Sequence, residues 1–131
     1  DMKTVELQTY KKEALVNITR TVREEVAKSG LQEGVVLVHS PHTTAGITIT
    51  ENADPDVCAD MIWALKELVP KLPYRHAEGN SPAHLKTILV GNNVSVPVKD
   101  GELCLGIWQG IYFCEFDGPR DRRFFITMSS K

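Results

Sequence analysis

From Asn93 to Met128 the chain is written almost entirely in strand-length apolar runs separated by turn residues, and this patterning constrains the fold more than any other feature. Val94 to Val98, Glu102 to Ile107, Ile111 to Phe116 and Arg123 to Met128 each read as a strand. Lys99-Asp-Gly101 is the expected hairpin connection. Upstream, Thr4 to Thr9 alternates as a half-buried strand does, and Ala14 to Ile18 reads as a second strand. Gly34 to His39 is an apolar run suited to a sheet interior, with His39 ending it in a structural role. Thr44 to Glu51 alternates again, with Ile47 and Ile49 on one face and Thr48 and Thr50 on the other.

Helical segments interrupt this pattern. Ile18, Val22 and Val26 recur at helical spacing until Ser29-Gly30 supplies a stop. Asp54-Pro55 is a strong helix start, a capping carboxylate followed by proline at the first helical position. Val57, Met61, Leu65 and Leu68 then form an apolar stripe that ends before Pro70. Ser81-Pro82 repeats the start signal, with Ser81 as the expected cap of a shorter helix carrying His84, Leu85 and Ile88. The expectation is one α+β domain over residues 1–131, with two to three helices and an extensive, mainly antiparallel sheet.

A chain of 131 residues buries a real core without disulfide or metal staples. Its 42% apolar and 24% charged residues are those of a soluble globular protein. A net charge of -2 gives no global reason to bind nucleic acid or an anionic membrane. No apolar run approaches the roughly 20 residues of a membrane span, and no signal-peptide pattern opens the chain. Cys58, Cys104 and Cys114 are odd in number and form no C-x-x-C pair, which points to a reducing cytoplasm and to small buried hydrophobes.

The chemistry-bearing residues lie in three blocks. His42 stands in His-Ser-Pro-His-Thr-Thr, followed at some distance by Glu51-Asn52-Ala53-Asp54-Pro55-Asp56. His76 and His84 flank Gly79-Asn80, so the chain can fold back and bring both rings together. Three imidazoles are the commonest catalytic zinc set, although this spacing matches no standard metal motif. Imidazole acid–base work is the alternative reading. Eight residues of strand span about 26 Å, so His42 and Glu51 share a site only through a bulge or bend near Gly46, or through a neighbouring subunit. Asp54 reads first as a cap, and Glu51-Asn52 as a turn or a functional pair. In the third block Glu115 either points into a cleft or is an ordinary strand residue. Arg120, Arg122 and Arg123 either clamp a phosphate or pair with Asp117 and Asp121 at a solvated end.

Taken together, the segments His42-Thr-Thr-Ala, Thr50-Glu-Asn-Ala-Asp-Pro-Asp56, Tyr74-Arg-His through Gly79-Asn80, Ala83-His84 and Pro97-Val98 resemble the YjbQ family (UPF0047, secondary thiamine-phosphate synthase). The likeness continues through Gly101-Glu-Leu-Cys-Leu-Gly-Ile-Trp-Gln109, Glu115-Phe-Asp-Gly-Pro-Arg120 and Arg122-Arg123, and so covers nearly the whole chain. The resemblance implies a half-barrel-like sheet, a homotrimer, and a site of histidines and acids near the subunit boundary. It implies an enzyme coupling a pyrimidine pyrophosphate to a thiazole phosphate, with a divalent metal, zinc or magnesium. Carried onto this sequence, His42, His76 and His84 are the metal candidates and Glu51, Asp54 and Glu115 the catalytic acids. Asn52, Asn80, Gln109, Arg120, Arg122 and Arg123 are the candidates for a small phosphorylated substrate. A metal-dependent hydrolase using the same histidines, or a non-catalytic trimer that sequesters a small anion or metal, are the alternatives.

Overall fold

In the computed structural model, which describes residues 2–131, the elements run β1 (Met2–Gln8), β2 (Ala14–Asn17), α1 (Thr19–Ser29), β3 (Glu33–His39), β4 (Ala45–Glu51), α2 (Pro55–Leu68), α3 (Ser81–Val90), β5 (Asn93–Lys99), β6 (Glu102–Leu103), β7 (Gln109–Glu115) and β8 (Asp121–Ser130). Every strand pairing is antiparallel. Five strands form one sheet in the order β1-β8-β3-β5-β6, and three form a second, β2-β7-β4. The result is the expected α+β domain with a curled, half-barrel-like antiparallel framework. No helix among the described residues is long and apolar enough to cross a membrane.

Strand alternation builds the core directly. Val36, Val38, Val96, Val98, Phe124 and Ile126 point inward from the larger sheet, and Ile47, Ile111 and Phe113 from the smaller one. Each is at most 3% exposed, and each contributes about 1.5–3 kcal/mol by leaving water. Helix α1 closes this core with Val22 and Val26, one turn apart on a single face. It ends at Gly30, whose φ of 75° is the left-handed conformation that stops a helix. His39 stacks on Phe125 with ring centroids 6.3 Å apart, a packing role.

Other expectations need correction. The strand predicted for Glu102 to Ile107 is only Glu102–Leu103. After the tight turn at Asp100 and Gly101, both at positive φ, the ladder reaches Cys104, whose N–H bonds to Pro97 O at 2.9 Å. Proline has no N–H to return, so pairing stops there. Cys104 is consequently exposed rather than buried, whereas Cys114 is buried and Cys58 half-buried. Ser81 does not cap α3. Asn80 is the cap residue, and its side chain is turned away from the helix. The stripe on α2 is only partly covered, because no residue of that helix is buried. Instead α2 stands off the small sheet and leaves a cleft of about 460 Å³ walled by Leu15, Ile49, Met61, Leu65 and Phe116.

Candidate functional site

Strand β4 separates the chemistry into two groups. It pairs with β7 one residue to one, from Ala45↔Glu115 to Glu51↔Gln109. An unbroken register leaves no bulge near Gly46, so the strand keeps its two ends about 20 Å apart. His42 precedes one end and Glu51 closes the other. Within one chain they belong to different sites.

At the His42 end, the turn between the helices brings His76 and His84 together, with ring centroids 5.5 Å apart and planes at 77°. His84 also lines a cleft of about 350 Å³ with His42, Thr43, Thr87 and Asn92. Gly46 makes that approach possible. A Cβ there would collide with Gly91 O, which accepts the Ile47 N–H at 3.1 Å and so ties the end of α3 to β4. The imidazole of His42 is already engaged, since its Nε2 accepts the Arg123 N–H at 3.0 Å. Burial first, then the charges of Arg122 and Arg123, hold its pKa below the ordinary value.

Asn80 sits between the two histidines in sequence. Its Nδ2 donates to Asp117 Oδ2 at 2.8 Å and to Glu78 Oε2 at 3.0 Å. Two carboxylates around the nitrogen fix the amide orientation. Asn80 Oδ1 is then left buried, without a hydrogen-bond partner among the described residues. Asp117 also receives Lys12 Nζ at 2.6 Å and Arg120 Nη2 at 2.8 Å. Burial pushes this carboxyl up, but the bonds from Lys12, Asn80 and Arg120 outweigh it and hold the pKa at about 2. A depressed carboxyl stabilises the fold above its unfolded pKa, and that contribution disappears as pH falls through its folded value. Acid unfolding should therefore show about 1–2 kcal/mol lost between roughly pH 4 and pH 2, the screened value of such a shift. Asp117→Asn, followed by circular dichroism, should be less stable near neutrality and lack that part of the acid transition.

Glu115 faces neither a cleft nor solvent. It is fully buried, and its carboxylate accepts Thr9 Oγ1 at 2.7 Å, the Asp117 N–H at 2.9 Å and Arg122 Nε at 2.8 Å. Arg122 Nη2 closes a second bond to it and also donates to Thr44 Oγ1 at 2.9 Å. Burial pushes Glu115 up, yet these donors prevail and hold it below its ordinary value. A carboxylate so fully satisfied is an anchor for the His42–Thr44 turn, not a proton carrier. The phosphate clamp predicted for three arginines is reduced likewise. Arg122 is committed to Glu115, and Arg120 is shared between Asp117 and Glu78. The Arg123 guanidinium forms no ion pair among the described residues.

At the other end of β4, Glu51 Oε2 accepts the Asp54 N–H at 3.2 Å. Asp54 Oδ1 accepts the Asp56 N–H at 2.9 Å as the cap of α2. Asn52 Nδ2 donates to Gln109 O at 3.0 Å, and Tyr112 OH donates to Glu51 O at 3.0 Å. Glu51, Asn52, Asp54 and Gln109 thus form a second polar group, with one oxygen of Glu51 uncommitted among the described residues. Thr9, Lys12, Thr44, Glu78 and Tyr112 are polar residues of these clusters that sequence reasoning missed. The one available signal was an acid, Glu115, inside the apolar run from Ile111 to Phe116, since such an acid requires buried partners.

The expected set of three histidines does not converge. Among the described residues no group of three or more His, Cys, Asp or Glu side chains is placed to hold a metal. What the fold defines is a two-sheet α+β domain carrying a histidine–amide–carboxylate cluster at one end and an acid–amide cluster at the other. The chain belongs to the UPF0047 protein YjbQ-like family, which it matches over residues 3–131. It is 49% identical over 130 residues to the UPF0047 protein YugU of Bacillus subtilis, covering 97% of this chain and 98% of that one. Against the UPF0047 protein MJ1081 of Methanocaldococcus jannaschii it is 48% identical over 124 residues, covering 94% and 90%. An uncharacterised YjbQ/UPF0047-family protein of Clostridium acetobutylicum superposes with a TM-score of 0.94 at 47% identity, covering 97% and 99% of the two chains. A protein of unknown function from Sulfolobus solfataricus superposes with a TM-score of 0.95 at 30% identity, covering 100% and 97%.

Proposed function

We propose that the protein is a metal-assisted enzyme for a small phosphorylated heterocyclic metabolite, similar to secondary thiamine-phosphate synthases, and that it works as a cytoplasmic homotrimer. The observation that carries this reading is the His76–His84 pair. Its centroid separation of 5.5 Å is close to the about 5 Å expected when two imidazoles bind one tetrahedral ion at about 2 Å per bond. Asn80, between them in the chain, keeps a buried Oδ1 without a hydrogen-bond partner among the described residues, an oxygen of the kind such an ion takes. The two imidazoles are the groups that would hold the ion, and two imidazole nitrogens favour zinc over magnesium. When bound, the ion would supply positive charge against a departing pyrophosphate.

The chain's own residues would do the rest. The unpaired Arg123 would hold a phosphate, Asn52 and Gln109 would orient the heterocycle, and the free oxygen of Glu51 would move a proton. The last three lie at the far end of β4, so the reading requires the acid cluster of one subunit to complete the histidine cluster of the next. Trp63, Leu68, Leu72, Ile88, Ile107 and Trp108 are each more than half exposed, which suits an assembling surface.

The test is elemental analysis of the wild type beside His84→Ala, both purified without chelator or histidine tag. One metal per subunit, absent from a folded variant, is the expected result. No metal in either protein, even after incubation with zinc and magnesium, would overturn the metal reading. With metal bound, failure to join a pyrimidine pyrophosphate to a thiazole phosphate would leave a metal-dependent hydrolase. Metal that raises stability without any turnover would leave a binding protein.

A further inference from the structure

We infer that His42 is a hydrogen-bond donor to an anionic oxygen of the ligand, phosphate or carboxylate, and not a third ligand to the metal. The inference rests on reading the His42–His84 cleft as a substrate site and assigns its second wall. Because Nε2 accepts the Arg123 N–H at 3.0 Å, its lone pair is used, and the proton of the neutral ring sits on Nδ1. Coordination through Nε2 would break that bond. Coordination through Nδ1 would move the proton to Nε2 and set it against the Arg123 N–H. A ligating histidine needs an acceptor behind its second nitrogen, and His42 has a donor there.

Among the described residues Nδ1 has no hydrogen-bond partner, yet it is not one of the buried atoms left without a partner. It therefore reaches solvent, on a ring that lines the cleft of about 350 Å³ shared with His84. The surrounding charge suits an anion. Arg122 and Arg123 both act on His42; Arg122 is already neutralised by Glu115, and Arg123, opposite Glu6 in the β1–β8 register, forms no ion pair among the described residues. The opposite wall is the C-terminal end of α3, which would repel an anion if its carbonyls were bare. Thr87 O is taken by the Gly91 N–H, Gly91 O by the Ile47 N–H, and Asn92 O of the following turn by the Ser40 N–H.

Long-range proton–nitrogen NMR of the imidazoles tests this on the intact protein, with zinc, inorganic phosphate and acetate added separately. His42 should show the Nδ1–H tautomer, keep it when zinc perturbs His76 and His84, and shift with one of the two anions, which identifies the source of the oxygen. An Nε2–H tautomer, a zinc-coordinated His42, or no response to either anion would overturn the inference. If zinc moves no histidine while His42 behaves as stated, the metal reading fails and this one stands. Two variants separate folding from recognition, because an asparagine amide nitrogen falls where Nδ1 was and a glutamine amide nitrogen where Nε2 was. His42→Asn should keep anion affinity within about threefold, and His42→Gln should lose about tenfold, the scale of one charge-assisted hydrogen bond. Equal losses in both would sink the donor assignment.

Discussion

Arg122→Met should lower stability by about 3–5 kcal/mol, the usual cost of leaving one member of a buried ion pair alone. For a domain of this size that corresponds to a fall in melting temperature of roughly 10–20 °C. The reason is the setting of Glu115, which is fully buried and would keep only Thr9 Oγ1 and the Asp117 N–H as donors. With Arg122 removed, burial is no longer outweighed and the carboxyl pKa must rise. Protonation then relieves the strain, so the loss should shrink as pH falls through the raised pKa. Urea unfolding at several pH values checks both statements, and a loss under about 1 kcal/mol would show that the pair is well hydrated. Arg122→Met with Glu115→Leu should recover most of the stability, since an apolar pair of similar volume avoids the desolvation cost. It should not recover the activity proposed above, because Arg122 also holds Thr44 through Oγ1 at 2.9 Å and with it the turn that presents His42.

The contrast between those two outcomes shows which parts of the protein a sequence can disclose. Alternation along β3, β4, β7 and β8 is a local property, so the strands and their inward faces were legible, as were the stop at Gly30 and the cap at Asp54. Those features depend on residues a few positions apart. Glu115 depends on Thr9 and Arg122, which are 106 and 7 positions away, and nothing near it in the chain announces either partner. Asn80 stands at the cap position of α3 without a side-chain cap bond for the same reason, since Asp117, 37 positions distant, claims its amide. The stripe of α2 was legible as apolar, but its partial exposure was not, because a period says which face is apolar and not what covers it.

The candidate site divides along the same line. That His76 and His84 would meet was readable from the short return through Gly79-Asn80. Which nitrogen of His42 is free was not readable, because it is set by a backbone N–H on β8. The separation of His42 from Glu51 followed from strand rise alone. Only the unbroken β4–β7 register removed the bulge that would have rejoined them.

That separation leads to the second large effect. If the protein is the trimeric enzyme proposed above, subunits of His84→Ala mixed equally with subunits of Glu51→Gln should regain activity that neither variant has alone. If each site takes its histidines from one subunit and its acids from the next, a site is intact when an acid-deficient subunit supplies the histidines and a histidine-deficient one supplies the acids. Random assembly gives about one site in four of that composition. Equal co-unfolding and refolding should thus restore about a quarter of wild-type turnover of a pyrimidine pyrophosphate and a thiazole phosphate. Mixing without subunit exchange should restore nothing and serves as the control. If exchanged mixtures also stay inactive while the wild type refolds to full activity, the two clusters do not share a site. The histidine cluster with Asn80 and Arg123 would then have to be complete within one chain, and Glu51 would keep only the duty its Oε2 already performs at the entry to α2.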